Sequence, residues 1–300
     1  MSYHEPVLLK ESVDGLAIKS NGKYVDVTFG GGGHSREILN RLSALQLISF
    51  DQDEDASGNT IDDARFVLVH HSFIYLKRFL KYYNMLPVDG LLADLGISSW
   101  QIDTHERGFS TRSEDALLDM RMDKQSGLTA KIIIGTYSQE KLQLIFQKYG
   151  EIQNARKLAS TIVVNRQNTA INTVRDLKYA IKSCVFKEKE NRYHAQVFQA
   201  LRIEVNQEQD ALKKLLVQSA EVLSPGGRLV VISYHSLEDR LVKSFMAKGK
   251  FEGEIEKDEF GRPVKELFRL ITRKPITPSE EELKKNPRAR SAKLRIAEKI

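Results

Sequence analysis

The chain has 300 residues, 41% hydrophobic and 29% charged, an ordinary composition for a globular protein that can bury a full core. A formal net charge of +6 mildly favours a polyanionic partner. One cysteine excludes an intrachain disulfide, the histidines show no zinc-site spacing, and no run approaches the roughly 18 apolar residues of a membrane span. The N-terminus lacks a secretory pattern, so the expected location is the cytoplasm, with no membrane and no metal.

The first strand is expected at Lys23–Phe29, and four glycines follow it, Gly30–Gly33, before a helix that begins near Ser35. A strand that ends in glycines and opens a helix brings backbone N–H groups up to a nucleotide-like ligand. The spacing breaks the dinucleotide fingerprint G-x-G-x-x-G, because the third glycine falls on Ser35 or Arg36. A loop closing in Gly-His is nearer to the looser loops that hold S-adenosylmethionine. Further strands are expected at Gln46–Asp51, Phe66–His70 and Gly90–Leu95, apolar on both faces as in a parallel sheet covered by helices. Asp51 ends the second strand, where an acid accepts ribose hydroxyls, while Asp53 or Asp55 suits a helix cap. Phe73 suits either an adenine face or the core of the next helix. After the fourth strand, Asp94-Leu95-Gly96-Ile97-Ser98-Ser99-Trp100-Gln101 is polar where a core would be apolar.

From Pro87 to Pro225 there is no proline, and the pattern turns to period 3.6. Leu142, Ile145, Phe146 and Tyr149 make one face. Leu158, Ile162 and Val163 make a second, and Val174, Leu177, Ile181 and Val185 a third. Ser138, Asn154 and Thr173 stand where N-caps would. Residues 103–194 are therefore expected as a helical insertion, with 1–102 and 195–300 forming the sheet domain. A helix ends at Ser224-Pro225-Gly226-Gly227, and a fifth strand follows at Arg228–Ser233. Ser236 is the expected cap of the next helix, Leu237–Met246. Late strands are expected at Glu266–Thr272 and Ala292–Glu298, with Arg273–Arg290 as a charged loop.

Seven ordered stretches resemble one family, the small-subunit ribosomal RNA cytosine-N4 methyltransferases, also called RsmH or MraW. They are 4–9 (HEPVLL), 28–35 (TFGGGGHS), 94–99 (DLGISS), 106–110 (ERGFS), 118–123 (LDMRMD), 233–240 (SYHSLEDR) and 286–291 (NPRARS). The resemblance implies an α/β class I S-adenosylmethionine-dependent fold with an inserted helical domain for substrate recognition. It implies methylation of a cytosine N4 in the decoding region of 16S rRNA. Carried over, the cofactor contacts are Gly32, Gly33, His34, Asp51, Phe73, Asp94 and Gln101. Trp100 departs from the pattern, where proline is common.

A cytosine amine is a weak nucleophile, so an acceptor near its N–H helps the attack. Asp94 or a nearby serine is expected in that role, with His235 either on the other wall or structural beside its helix cap. Arg156, Lys157, Arg166 and Arg175 of the insertion are candidates for reading RNA, a partner or homodimer surface being the other use of that face. The seven basic residues of 284–299 could touch phosphates or simply be solvated. The competing classes are a nicotinamide oxidoreductase, a DNA amino-methyltransferase and a non-enzymatic RNA-binding protein. The broken fingerprint disfavours the first, and the missing Asp/Asn-Pro-Pro-aromatic motif the second.

Overall fold

The computed structural model describes residues 6–43, 46–185, 187–253 and 266–300. His4 and Glu5 of the first matching stretch lie outside them. The chain divides into two compact units, residues 1–96 with 209–300, and residues 97–208.

The first unit is a seven-stranded sheet of β1 (Tyr24–Asp26), β2 (Leu47–Asp51), β3 (Phe66–His70), β4 (Val88–Asp94), β5 (Leu223–Ser233), β6 (Phe268–Leu270) and β7 (Lys293–Lys299). The order is β3-β2-β1-β4-β5-β7-β6. The first five are parallel, and β7 runs antiparallel to both β5 and β6. This seven-stranded α/β sheet agrees with the class I fold that the resemblance implied. The chain reverses direction across the sheet between β1 and β4, and ligands sit at the carboxyl ends beside such a switch. β1 is shorter than expected, yet Val27 and Phe29 still donate to Leu92 and Phe50 carbonyls. The helix before β5 stops at Val222, next to the Ser-Pro-Gly-Gly run as expected, but β5 starts at Leu223 and carries the run inside it rather than starting at Arg228. The run is a bulge, since Val88 pairs with Leu223 but Gly90 pairs with Arg228. Gly226 there takes φ +78.

Strand alternation sends Val25, Ile48, Leu91 and Val231 to one face and Tyr24, Leu47, Leu92 and Val230 to the other. α1 (Leu9–Gly15) and α2 (Gly33–Arg41) bury Val13, Ile38 and Leu39 against the second face. α3 (Leu76–Tyr82) buries Leu76 and Leu80 against the first.

The second unit holds α4 (Ser99–Asp103), α5 (Ala130–Thr136), α6 (Gln139–Gly150), α7 (Ala155–Asn168), α8 (Val174–Ala180) and α9 (Glu190–Asn206). Its own core contains Leu142, Ile145, Phe146, Leu158, Ile162, Val174, Leu177 and Ile181. These lie on the three expected faces, with Tyr149, Val163 and Val185 packed at the edge. The boundaries differ from 103 and 194. The unit begins at Ile97 and ends at Glu208, because α9 is one unbroken helix whose Val197, Phe198 and Leu201 belong to this core. The matching stretches 106–110 and 118–123 are scaffold here. Arg107 donates to the carbonyls of Arg121 and Met122, and Asn206 closes on Met120 and Met122. Gly108 is required, since a Cβ would lie 2.2 Å from the Leu117 carbonyl oxygen. Ser138 and Thr173 cap as expected. Asn154 occupies its cap position without capping, its amide being spent on the Cys184 carbonyl and the Tyr193 hydroxyl.

α10 (Glu208–Val222) and α11 (Ser236–Lys248) bury Leu212, Leu215, Leu216, Val242, Phe245 and Met246 against the first sheet face. The cap of α11 is His235 rather than Ser236. The expected loop at 273–290 contains α12 (Glu280–Lys285), capped by Ser279. A short, charged helix with no buried residue leaves no apolar period to read.

Candidate functional site

The carboxyl ends of three adjacent strands each carry an aspartate: Asp51 on β2, Asp26 on β1 and Asp94 on β4. Asp26 is fully buried, and its carboxylate accepts from Ser35 Oγ (2.6 Å) and the Thr28 N–H (3.1 Å). Burial pushes its pKa upward, and those bonds partly offset the shift. Asp51 Oδ2 accepts from the Gly30 N–H at 2.8 Å, and Oδ1 from the Asp53 N–H at 2.9 Å. The aspartate thus ties the second strand to the glycine turn. Burial pushes it up to about 6. Asp53, not Asp51, is the cap of the following turn.

The glycine turn needs its glycines for two reasons. Gly30 and Gly32 take φ +51 and +75. A Cβ on Gly33 would lie 2.1 Å from Pro6 Cγ. The space at Gly33 is therefore filled by the chain's own residue 6, not left open to a ligand as the sequence suggested. The segment from Pro6 to Leu8 covers the turn, and Val7 holds His34. The Val7 carbonyl lies 3.1 Å from His34 Nε2 and can only accept, so Nε2 carries the proton. Nδ1 stands 3.9 Å from Asp94 Oδ2, presenting a lone pair when the ring is neutral and a proton to the carboxylate when it is charged. Burial lowers the His34 pKa, against the pull of Asp94.

Asp94 Oδ1 accepts from the Tyr234 hydroxyl at 2.7 Å. Burial pushes Asp94 up to about 6, with His34 and Tyr234 pulling down and Asp26 and Glu238 pushing up. Burial and the neighbouring carboxylate hold the Tyr234 hydroxyl protonated as a donor. Tyr234 follows β5 directly, and its N–H donates to Glu238 Oε2 at 2.9 Å. His235 Nδ1 accepts from the Glu238 N–H at 3.4 Å, and Nε2 lies 3.1 Å from Glu238 Oε1, off the hydrogen-bonding line.

The sheet unit thus brings Gly32, Gly33, His34, Asp51 and Asp94 together at one end, with His235 after β5. Phe73 follows β3 at the same end, half-buried in a turn capped by Ser72 and packed on the core. Gln101 belongs to the other unit. Its carboxamide oxygen accepts from the Ser98 N–H at 3.0 Å, closing the capping box of α4. Trp100 leaves that box intact, since the first turn of a helix tolerates either Trp or Pro. Sequence reasoning missed Tyr234, Asp26 and the covering segment 6–8. For Tyr234 the signal was present in the stretch 233–240, one residue before His235.

The profile of the MraW methylase family matches residues 1–300. The Ribosomal RNA small subunit methyltransferase H of Bacteroides thetaiotaomicron is 55% identical over 300 residues, spanning 100% of this chain and 98% of that protein. The protein of the same name from Christiangramia forsetii is 55% identical over 304 residues, spanning 100% and 99%. That from Flavobacterium psychrophilum is 56% identical over 293 residues, spanning 97% and 100%. With the profile matched from the first residue to the last, and relatives matched over nearly their whole length, the chain belongs to the MraW methylase family.

Proposed function

We propose that this chain transfers a methyl group from S-adenosylmethionine to the exocyclic N4 amine of a cytosine in the decoding region of 16S rRNA. It does so in the cytoplasm, on the small ribosomal subunit or its rRNA. The observation that carries the reading is Asp94, held at the end of β4 between the Tyr234 hydroxyl and His34.

The donor set fits the methyl donor. S-adenosylmethionine carries a sulfonium and an ammonium cation and a ribose, and three aspartates at neighbouring strand ends favour cations. The same acids repel a pyrophosphate, which argues further against a nicotinamide cofactor. Asp51 retains a second lone pair on each oxygen for ribose hydroxyls. Gly32, Gly33 and His34 would line the turn and Phe73 the adenine. When bound, S-adenosylmethionine supplies an electrophilic methyl group.

The chain's own residues handle the amine. Tyr234 occupies Asp94 Oδ1, which leaves Oδ2 as the acceptor for an N4 proton. That contact localises the amine lone pair and takes up the proton as the N–C bond forms. His235 is a positioning residue. It fixes the first turn of α11 and, through Glu238, the Tyr234 backbone. The helical unit reads the RNA. Of its four expected cations, Lys157 and Arg166 donate to carbonyls and Arg175 pairs with Asp115, so Arg156 is the exposed guanidinium to test. If that face instead joins two copies of the chain, Arg156→Glu leaves RNA affinity intact and light scattering gives a doubled mass.

Labelled S-adenosylmethionine with 16S rRNA from cells lacking the protein tests the assignment. One methylated cytosine is expected. Asp94→Ala should cost about 10²–10⁴ in turnover with the donor still bound. Label in DNA alone, or full turnover by Asp94→Ala, overturns it.

A further inference from the structure

We infer that residues 273–290 form a cationic rim that holds phosphates of the RNA strand delivering its base to Asp94. The inference rests on the function proposed above. The segment stands at the site end of the sheet unit. Ile276 bridges Leu294 at the start of β7, and Lys293 pairs with Ser233 at the carboxyl end of β5. Glu282 of α12 turns inward, and its Oε1 accepts from the Leu8 N–H at 2.7 Å. Leu8 follows Val7, whose carbonyl holds His34 beside Asp94. Leu283, Ala289 and Ala292 pack in the same apolar cluster as Val7 and Leu8. The segment is therefore anchored to the cover of the glycine turn.

Its outward charge is positive. Six basic residues stand against Glu280, Glu281 and the inward Glu282, so the cations prevail. Arg273, Lys274, Lys284, Lys285 and Arg290 are exposed, and no side-chain partner engages them among the described residues. Elsewhere in the same unit Arg41, Arg65, Arg228, Arg269 and Arg295 are paired with carboxylates. Arg78 and Lys81 of α3 are also exposed with no side-chain partner among the described residues, but five such cations in one segment stand beside the strand-end acids, and those acids supply the reason. Asp26, Asp51 and Asp94 end β1, β2 and β4, and an RNA base arrives with phosphates on both sides. That repulsion must be offset by cations within about one Debye length, roughly 8 Å at physiological salt.

The test is the full chain carrying Lys284→Glu, Lys285→Glu and Arg290→Glu together, with the decoding-region RNA fragment as probe. Anisotropy against salt should show the slope of log K on log salt falling by about 0.7 for each phosphate that the variant no longer neutralises. The KM for RNA should rise at least tenfold at low salt, with kcat at saturation unchanged. Donor affinity by calorimetry and the circular dichroism spectrum should match wild type, showing an intact fold. Lys81→Glu, near the amino end of β4, changes the net charge by two where the triple variant changes it by six, so it serves as the control per unit of charge and should leave the slope nearly unchanged. An unchanged slope and KM in the triple variant, or an equal effect per unit of charge in the control, overturns the rim. Wild-type protein that methylates no rRNA overturns the function instead, so the two failures are distinguishable.

Discussion

Asp94 meets a hydroxyl donor on one oxygen and an imidazole nitrogen across from the other, and this asymmetry decides how it can act. Tyr234→Phe removes the donor. A hydrogen bond to a charged group is worth about 1.5–3 kcal/mol, so turnover should fall roughly ten- to hundredfold with donor affinity little changed. The bond also lowers the Asp94 pKa, so its loss should move the acid limb of the kcat–pH profile upward. A merely structural tyrosine would leave that limb in place. The two site carboxylates near 6 set a second expectation. Each is neutral below that pH and negative above it, and a cationic donor favours the negative form. S-adenosylmethionine affinity should therefore rise from pH 5 to 7 and then level, with protons released on binding below pH 6. Calorimetry in buffers of different ionisation heat reads both, and a flat profile refutes donor binding at the strand-end acids. The positions of Asp51 and Asp94 at strand ends were legible because each closes a short apolar run. The Tyr234 hydrogen bond was not, because it joins residues 140 apart that meet only once β4 and β5 are paired.

Secondary elements were read well where burial gives them a period and poorly where it does not. β3 begins and ends where expected, being a run of five with turn residues on both sides. α12 was missed for want of any buried residue, and while the helix stop at 224–227 was read correctly, the start of β5 ahead of it was not, because Pro-Gly-Gly signals a break and hides a bulge. Whether His235 or Ser236 caps α11 is decided by one residue of backbone phase, which sequence does not fix. His235→Ala should cost about 1 kcal/mol of stability, in the usual range for a lost cap, and less turnover than Asp94→Ala. Urea unfolding beside the methyl-transfer assay checks both, and an Asp94→Ala-sized loss with stability unchanged would return His235 to the chemistry. Gly33→Ala tests the glycine turn itself. Its Cβ would displace Pro6, and with it the Val7 carbonyl that holds His34. We expect a loss of about 1–3 kcal/mol with weakened donor binding, as for overpacking elsewhere. Gly58→Ala, which meets nothing within 4 Å, should do neither.

At the scale of the whole molecule, the sheet and the insertion keep separate cores. The sequence showed both, since alternating strand and helix signals give way to period 3.6 alone and then return. It misplaced the seams because a helix such as α9 serves one core along its length while its sequence shows no break near residue 194. The site acids and the glycine turn lie in the sheet unit alone. A ligand that binds there stabilises that unit by mass action, about 2.7 kcal/mol at a hundred times its Kd. Scanning calorimetry with the demethylated product should therefore shift the sheet unit's melting upward and leave the helical unit's where it was. Hydrogen exchange identifies which unit is which, with added protection expected in β1, β2 and β4 and none in α6 or α7. Equal protection in both would mean that the helical core, too, answers to the donor, and substrate reading and donor binding would then not be separable between the units.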